Sequence, residues 1–221
     1  RMSKLSWSME ADEDEILIAP MPLYHIFGFT MNLIGGFVYG SHSVLVPDPR
    51  DINTLVGLLK QYRFTAMASV NTLLQGLMMH PEFDQIDFSR VKGVIAGGTA
   101  LVKEIADEWQ SRTGSQIFEG YGLSETTAVL TCNTPDNNRL GTVGIAMVAQ
   151  EIKLIDDQGN TTPNGERGEI CVRGAQVMQG YWQRPEATAE AIDPEGWFRT
   201  GDIGIMSDDG FVSIVDRLKD M

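Results

Sequence analysis

Along the first 135 residues, short apolar runs alternate with longer stretches of helical period. Ile16-Leu17-Ile18-Ala19, Val44-Leu45-Val46, Phe64-Thr65-Ala66-Met67 and Val94-Ile95-Ala96 predict buried strands, and Gln116-Ile117-Phe118 predicts a weaker fifth. Between them, Asp51 is placed to cap a helix whose apolar face is Ile52, Leu55, Val56 and Leu59. Asn71 starts a second helix through Leu73, Leu74, Leu77 and Met78, stopped by Pro81. Thr99 precedes a third, with Leu101, Ile105 and Trp109 on one stripe and Gly114 just beyond it. Buried strands alternating with amphipathic helices predict an α/β fold, a parallel sheet flanked by helices.

The later part of the chain has period two. Glu151-Ile152-Lys153-Leu154-Ile155, Glu169-Ile170-Cys171-Val172-Arg173 and Phe211-Val212-Ser213-Ile214-Val215 alternate, separated by turn chemistry such as Asp156 to Asn160 and Asp208-Asp209-Gly210. Glu186 to Ile192 predicts one short helix after Pro185. Short strands with Gly-rich turns predict a smaller β-rich, barrel-like subdomain. The polar stretch Pro135 to Arg139 is the expected seam, giving an α/β subdomain over 1–135 and the β-rich one over 136–216.

Charge narrows the function. The 221 residues carry 17 Lys and Arg against 30 Asp and Glu, a formal net charge of -13. The excess is spread over both parts: 9 basic and 15 acidic side chains up to residue 135, then 8 and 15. With no basic footprint for a phosphate backbone, nucleic acid is not an expected partner. The acidic run Glu10 to Glu15 is expected to be a solvated loop. No apolar run approaches the ~20 residues that span a bilayer, and no signal-peptide core follows Arg1-Met2-Ser3-Lys4. Cys132 and Cys171 make neither a disulfide framework nor a zinc site, so a reduced cytoplasmic setting is expected.

Two loops carry candidate chemistry, because ligands of doubly wound sheets sit beyond the carboxyl ends of strands. Ala96-Gly97-Gly98-Thr99-Ala100 follows a strand and is expected to open a helix, with backbone N–H groups facing the crevice; an ordinary turn would read the same way. Glu119-Gly120-Tyr121-Gly122-Leu123-Ser124-Glu125-Thr126-Thr127 brackets an aromatic ring with glycines, then presents hydroxyls and a carboxylate. That set suits a Mg²⁺ carried by a phosphate, which binds through one or two carboxylates plus substrate oxygens.

Tyr121-Gly122-Leu123-Ser124-Glu125 resembles the Tyr-Gly-x-Thr-Glu signature of the adenylate-forming (AMP-binding) superfamily. Further segments fit in the family's order: Pro22-Leu23-Tyr24-His25-Ile26-Phe27-Gly28, Ala96-Gly97-Gly98, Gly168-Glu169-Ile170-Cys171-Val172-Arg173-Gly174 with Gly180-Tyr181-Trp182, Gly196-Trp197-Phe198-Arg199-Thr200-Gly201-Asp202, and Asp216-Arg217-Leu218-Lys219-Asp220. Their wording is most similar to bacterial long-chain fatty-acid–CoA ligases.

The resemblance implies an enzyme that activates a long-chain fatty acid with ATP to an acyl-adenylate and then forms the coenzyme A thioester, with Mg²⁺ as cofactor. It implies that Glu125 binds the metal and Ser124 the α-phosphate, and that Gly97, Gly98, Gly120, Tyr121 and Gly122 hold the adenine, with the Tyr121 ring stacked on it. Asp202 would accept both ribose hydroxyls, Arg217 would contact ribose or phosphate, and His25 and Phe29 would line the acyl gate. Residues 217–221, with Lys219 and Asp220, would begin a hinge to a further C-terminal domain. The family's phosphate loop and catalytic lysine are not seen, so the chain is expected to be a piece of the large domain with negligible turnover by itself. Peripheral membrane association of the whole protein is compatible with its substrates.

Other readings differ in chemistry. An acyl-AMP ligase serving a carrier protein would share every motif, and the chain alone could act only as a nucleotide-binding or scaffold module. A hydrolase is disfavoured: Thr126 replaces the last glycine of a Gly-x-Ser-x-Gly elbow, and His25, His42 and His80 all precede Ser124. No Walker loop or Gly-x-Gly-x-x-Gly is present.

Overall fold

The computed structural model describes residues 15–218. They divide into two compact units, one ending at Glu119 and the other beginning at Gly120. This division falls ahead of the polar stretch Pro135 to Arg139, because the residues from Gly120 onward pair with strands of the second unit: Gly120 faces Cys132 and Tyr121 faces Thr131.

In the first unit, β1 (Ile16–Ala19), β2 (His42–Leu45), β3 (Ala66–Ser69), β4 (Gly93–Ala96) and β5 (Ile117–Tyr121, its last two residues already in the second unit) lie in the order β2-β1-β3-β4-β5, all parallel. The helices fill the crossovers as their apolar periods require. Asp51 caps the helix Ile52–Gln61 by accepting from Thr54 N at 3.1 Å, and its Leu55, Val56 and Leu59 are buried. The helix Asn71–Met78 buries Leu73, Leu74, Leu77 and Met78, the four positions its period selects. A third helix, Lys103–Thr113, ends on Gly114, whose left-handed backbone donates its N–H to Gln110 O. The core between sheet and helices centres on Trp109, Phe64 and Phe83, with exposures of 0%.

The expected solvated acidic loop is corrected at its last residue. Glu15 is buried, accepting from Thr65 Oγ1 at 2.5 Å and from Lys92 Nζ. With a cation and a hydroxyl in reach, a carboxylate can occupy a buried strand edge. Glu10 to Asp14 lie outside the described residues.

The second unit opens with two short strands, β6 (Thr131–Cys132) and β7 (Ile145–Ala146), paired antiparallel. Its main feature is an antiparallel sheet of β8 (Gln150–Ile155), β9 (Arg167–Gly174), β10 (Phe198–Met206) and β11 (Val212–Arg217), in the order β11-β10-β9-β8. Beyond the four strands, Val212 of β11 exchanges backbone hydrogen bonds with Val143 and Gly144, so the second unit is the smaller β-rich subdomain that the sequence predicts. The alternation read in β9 fails locally, since Gly168 to Val172 are all buried. Ile170 packs with Leu154 and Val212, while Cys171 packs with Ile155 and Trp197. A central strand covered on both sides has no solvent face to spend on polar residues. The short helix Pro185–Ala191 lies where it was predicted. No helix among the described residues is long and apolar enough to cross a membrane.

Candidate functional site

The second unit gathers three of the residues singled out from the sequence. Asp202 on β10 stands directly across from Arg217 on β11, and Arg217 Nε donates to Asp202 Oδ1 at 2.6 Å. The other carboxylate oxygen, Oδ2, accepts from the Tyr121 hydroxyl at 2.5 Å. Asp202 is 3% exposed, while the Arg217 side chain is 57% exposed and reaches the acid from outside. The Tyr121 ring packs against the cluster of Leu130, Val172 and Phe198. Burial and the bond to Asp202 push the Tyr121 phenol well above its ordinary range, so it stays a neutral donor. Asp202 is not in a turn capping its own backbone; it sits in a strand, and its N–H is capped by Thr200 Oγ1 at 3.1 Å.

The loop after β5 is tightly constrained. A Cβ on Gly122 would lie 1.7 Å from the carbonyl oxygen of Ala128, so the two chain segments meet only because Gly122 has no side chain. Ser124–Thr126 forms a 3-10 turn, and Thr126 Oγ1 bonds both the N–H and the C=O of Leu123. Thr127 and Ala128 then take φ of 57° and 83°. Such conformations cost about 1–3 kcal/mol each and persist only where the surroundings over-determine them. Here Thr127 Oγ1 donates to Gln176 O at 2.9 Å, and Met178 N donates to Glu125 O at 2.7 Å.

The result presents Ser124 exposed and Glu125 half-buried beside it. Glu125 Oε1 accepts from the Tyr181 hydroxyl at 2.9 Å, a partner outside the sequence-derived set. Burial and the neighbouring carboxylate raise the Tyr181 phenol too. Among the described residues no three His, Cys, Asp or Glu side chains gather as a metal cage. A lone carboxylate flanked by a serine hydroxyl fits Mg²⁺, which keeps several waters and arrives with substrate phosphates.

The first unit holds the other sequence-derived positions. Gly97 donates to Ser69 O at 3.3 Å, and Gly98 takes φ of 83°. The expected helix start at Thr99 is corrected: the helix begins at Lys103, so the glycine pair leads into a bend at Gly98 and Thr99 and not onto a helix N-terminus. Asn71 holds this non-helical segment by donating to Thr99 Oγ1 and Ala100 O and accepting from Val102 N. Glu119 is 4% exposed and accepts from Leu101 N at 2.9 Å, which ties the same segment to β5; burial raises its carboxyl. His25 is exposed, and its Nδ1 caps Phe27 N at 3.2 Å. Phe29, 41% exposed, opens a π-helical turn over Phe29–Ile34. Gly120 lies in β5 facing Cys132. Lys219 and Asp220 lie outside the described residues.

Sequence reasoning passed over Tyr181, Glu119, Glu169 and Arg199. Each stood in or beside a quoted motif, but nothing in a one-dimensional pattern shows which carboxylate a distant hydroxyl or guanidinium will meet.

Residues 2–182 match the family described as AMP-binding enzyme. The chain is 45% identical over 208 residues to a long-chain-fatty-acid–CoA ligase of Salmonella typhimurium, covering 94% of this chain and 37% of that protein. Among solved structures, an anthranilate CoA ligase in complex with anthranoyl-AMP matches with a TM-score of 0.90 at 26% identity, over 98% of this chain and 42% of the other. A fatty acyl CoA synthetase of Mycobacterium tuberculosis matches with a TM-score of 0.88 at 28% identity, over 98% and 42%. The chain thus spans well under half the length of these relatives.

Proposed function

This chain belongs to the AMP-binding enzyme family, and on that premise we propose that it is the nucleotide-holding part of a ligase that joins a long-chain fatty acid to coenzyme A through an acyl-adenylate. The observation that carries the reading is the buried Asp202 carboxylate, held at one oxygen by Tyr121 and at the other by Arg217. The identity to long-chain ligases supports the acid class, and the relative solved with anthranoyl-AMP supports the adenylate.

In this reading Asp202 accepts the two ribose hydroxyls. An ionised carboxylate offers about four lone-pair sites, and Tyr121 and Arg217 use two of them. The exposed Arg217 side chain contacts the sugar or phosphates, a target its planar fork suits. Gly120, Tyr121 and Gly122 hold the adenine, the Tyr121 ring offering its face. Ser124 donates to the α-phosphate, and Glu125 ligates Mg²⁺. Bound there, the metal would neutralise charge on the phosphates. His25 and Phe29, exposed beside the π-helical turn, form the acyl gate.

The test uses the full-length ligase containing this chain, with ATP, Mg²⁺, coenzyme A and acids from acetate to oleate. AMP and thioester should form in equal amounts, with long acids preferred. Asp202→Ala removes two hydrogen bonds to a charged group, about 1.5–3 kcal/mol each, so kcat/KM for ATP should fall at least about a hundredfold. ADP as product, or an Asp202→Ala enzyme near wild type, overturns the reading. Acid-dependent pyrophosphate release with no coenzyme A thioester formed would move the acceptor to a carrier protein.

A further inference from the structure

Where β9 and β10 pair, the ladder is interrupted. Arg199 faces Cys171 and Ile203 faces Glu169, so Thr200, Gly201 and Asp202 stand opposite the single residue Ile170. Extra residues in one strand bend it and re-aim its side chains. Gly201 takes φ of 75° within this bulge. A bulge also takes N–H groups out of the ladder, and each buried one needs another acceptor.

Glu169 supplies that acceptor. Its Oε1 accepts from Gly201 N at 3.1 Å, and its Oε2 accepts from Arg199 Nε at 2.8 Å and also from Arg199 Nη2. Thr200 Oγ1 donates to Ile170 O at 2.9 Å and accepts from Asp202 N at 3.1 Å. These bonds bracket Asp202 from the residue before it and tie the bulge to β9. Glu169 is only 6% exposed. Burying a carboxylate is costly even when it is paired, and an apolar side chain of similar volume would pack there at lower cost. What the acid supplies, and an apolar residue could not, is the simultaneous hold on the Gly201 N–H and the Arg199 guanidinium.

We propose that Glu169 is a positioning residue for the sugar of the nucleotide: with Arg199 it fixes the Thr200–Asp202 bulge in the shape that turns the Asp202 carboxylate toward Tyr121 and the ribose diol. The inference rests on the assignment of Asp202 to that diol. Its signature is selective. Disturbing the brace weakens only the interaction with the sugar hydroxyls and leaves recognition of adenine and phosphates in place.

The experiment compares ATP with 2′,3′-dideoxy-ATP in acid-dependent pyrophosphate release by the full-length ligase, as wild type, Glu169→Gln and Arg199→Lys. Wild type should prefer ATP by at least tenfold in kcat/KM. Glu169→Gln should lose about tenfold with ATP through KM and change less than twofold with the dideoxy analogue. Arg199→Lys keeps the charge but not the two-pronged contact, so it should shift the ratio in the same direction by less. If Glu169→Gln does not fold, Arg199→Lys alone decides by the same ratio. A wild type that prefers ATP alongside variants that keep its ratio, or that lose both nucleotides equally, overturns the brace and leaves the diol reading standing. A wild type indifferent to the missing hydroxyls overturns the diol reading and the brace with it.

Discussion

Gly122→Ala isolates how the loop that carries Ser124 and Glu125 is held. The added Cβ would sit 1.7 Å from the Ala128 oxygen, 2.5 Å from its carbonyl carbon and 2.9 Å from Val129 N. All three are backbone atoms, so no rotamer change can relieve the clash. Overpacking against movable side chains already costs about 1–3 kcal/mol. Here the chain must open at Ala128, next to two residues held at positive φ. A loss of about 3 kcal/mol or more follows. With a urea slope of about 2 kcal/mol/M, the midpoint of the unit holding this loop should drop by about 1.5 M, followed by tryptophan fluorescence. Gly98→Ala is the control: nothing lies within 4 Å of its added Cβ, and only its φ of 83° is strained, worth about 1–2 kcal/mol. Gly120→Ala, whose nearest neighbours would be 3.5 Å away, should be close to neutral. If Gly122→Ala proves no worse than Gly98→Ala, close approach of the two segments is not what fixes the loop.

Two further outcomes are expected. Tyr181→Phe removes the hydroxyl that donates to Glu125 Oε1 at 2.9 Å; discounted for solvent to about 1 kcal/mol, the loss should raise the Mg²⁺ requirement about fivefold at saturating ATP, and an unchanged Mg²⁺ titration would remove Tyr181 from the site. Glu119→Gln should stabilise the fold increasingly with pH. Burial raises the wild-type carboxyl in the folded state, so its contribution to stability is intact below the ordinary carboxylate range near ~4.3 and is lost as pH rises through the raised value. The amide can still accept from Leu101 N at every pH. The difference in Tm between variant and wild type should therefore be smallest near pH 4 and grow toward neutrality; a difference constant over that range contradicts the argument.

The sequence by itself determined the alternation of strands and helices, because each crossover helix must bury a stripe of period 3.6 and each central strand a continuous apolar run. Asp51, the Leu73 to Met78 set and Gly114 all sit where that local chemistry puts them. It also named Tyr121, Asp202 and Arg217 through motifs that fit a known family. Only the tertiary structure decided what those residues touch. Whether Asp202 caps its own turn or takes a donor from Tyr121, 81 positions away, depends on how β10 pairs with β9 and β11 and on Tyr121 packing against Val172 and Phe198. The same holds for Glu169, which alternation assigns to a solvent face and the sheet buries against Arg199 and Gly201. Periodicity reports the average environment of a strand, whereas a buried charge is settled by one partner brought from elsewhere in the chain.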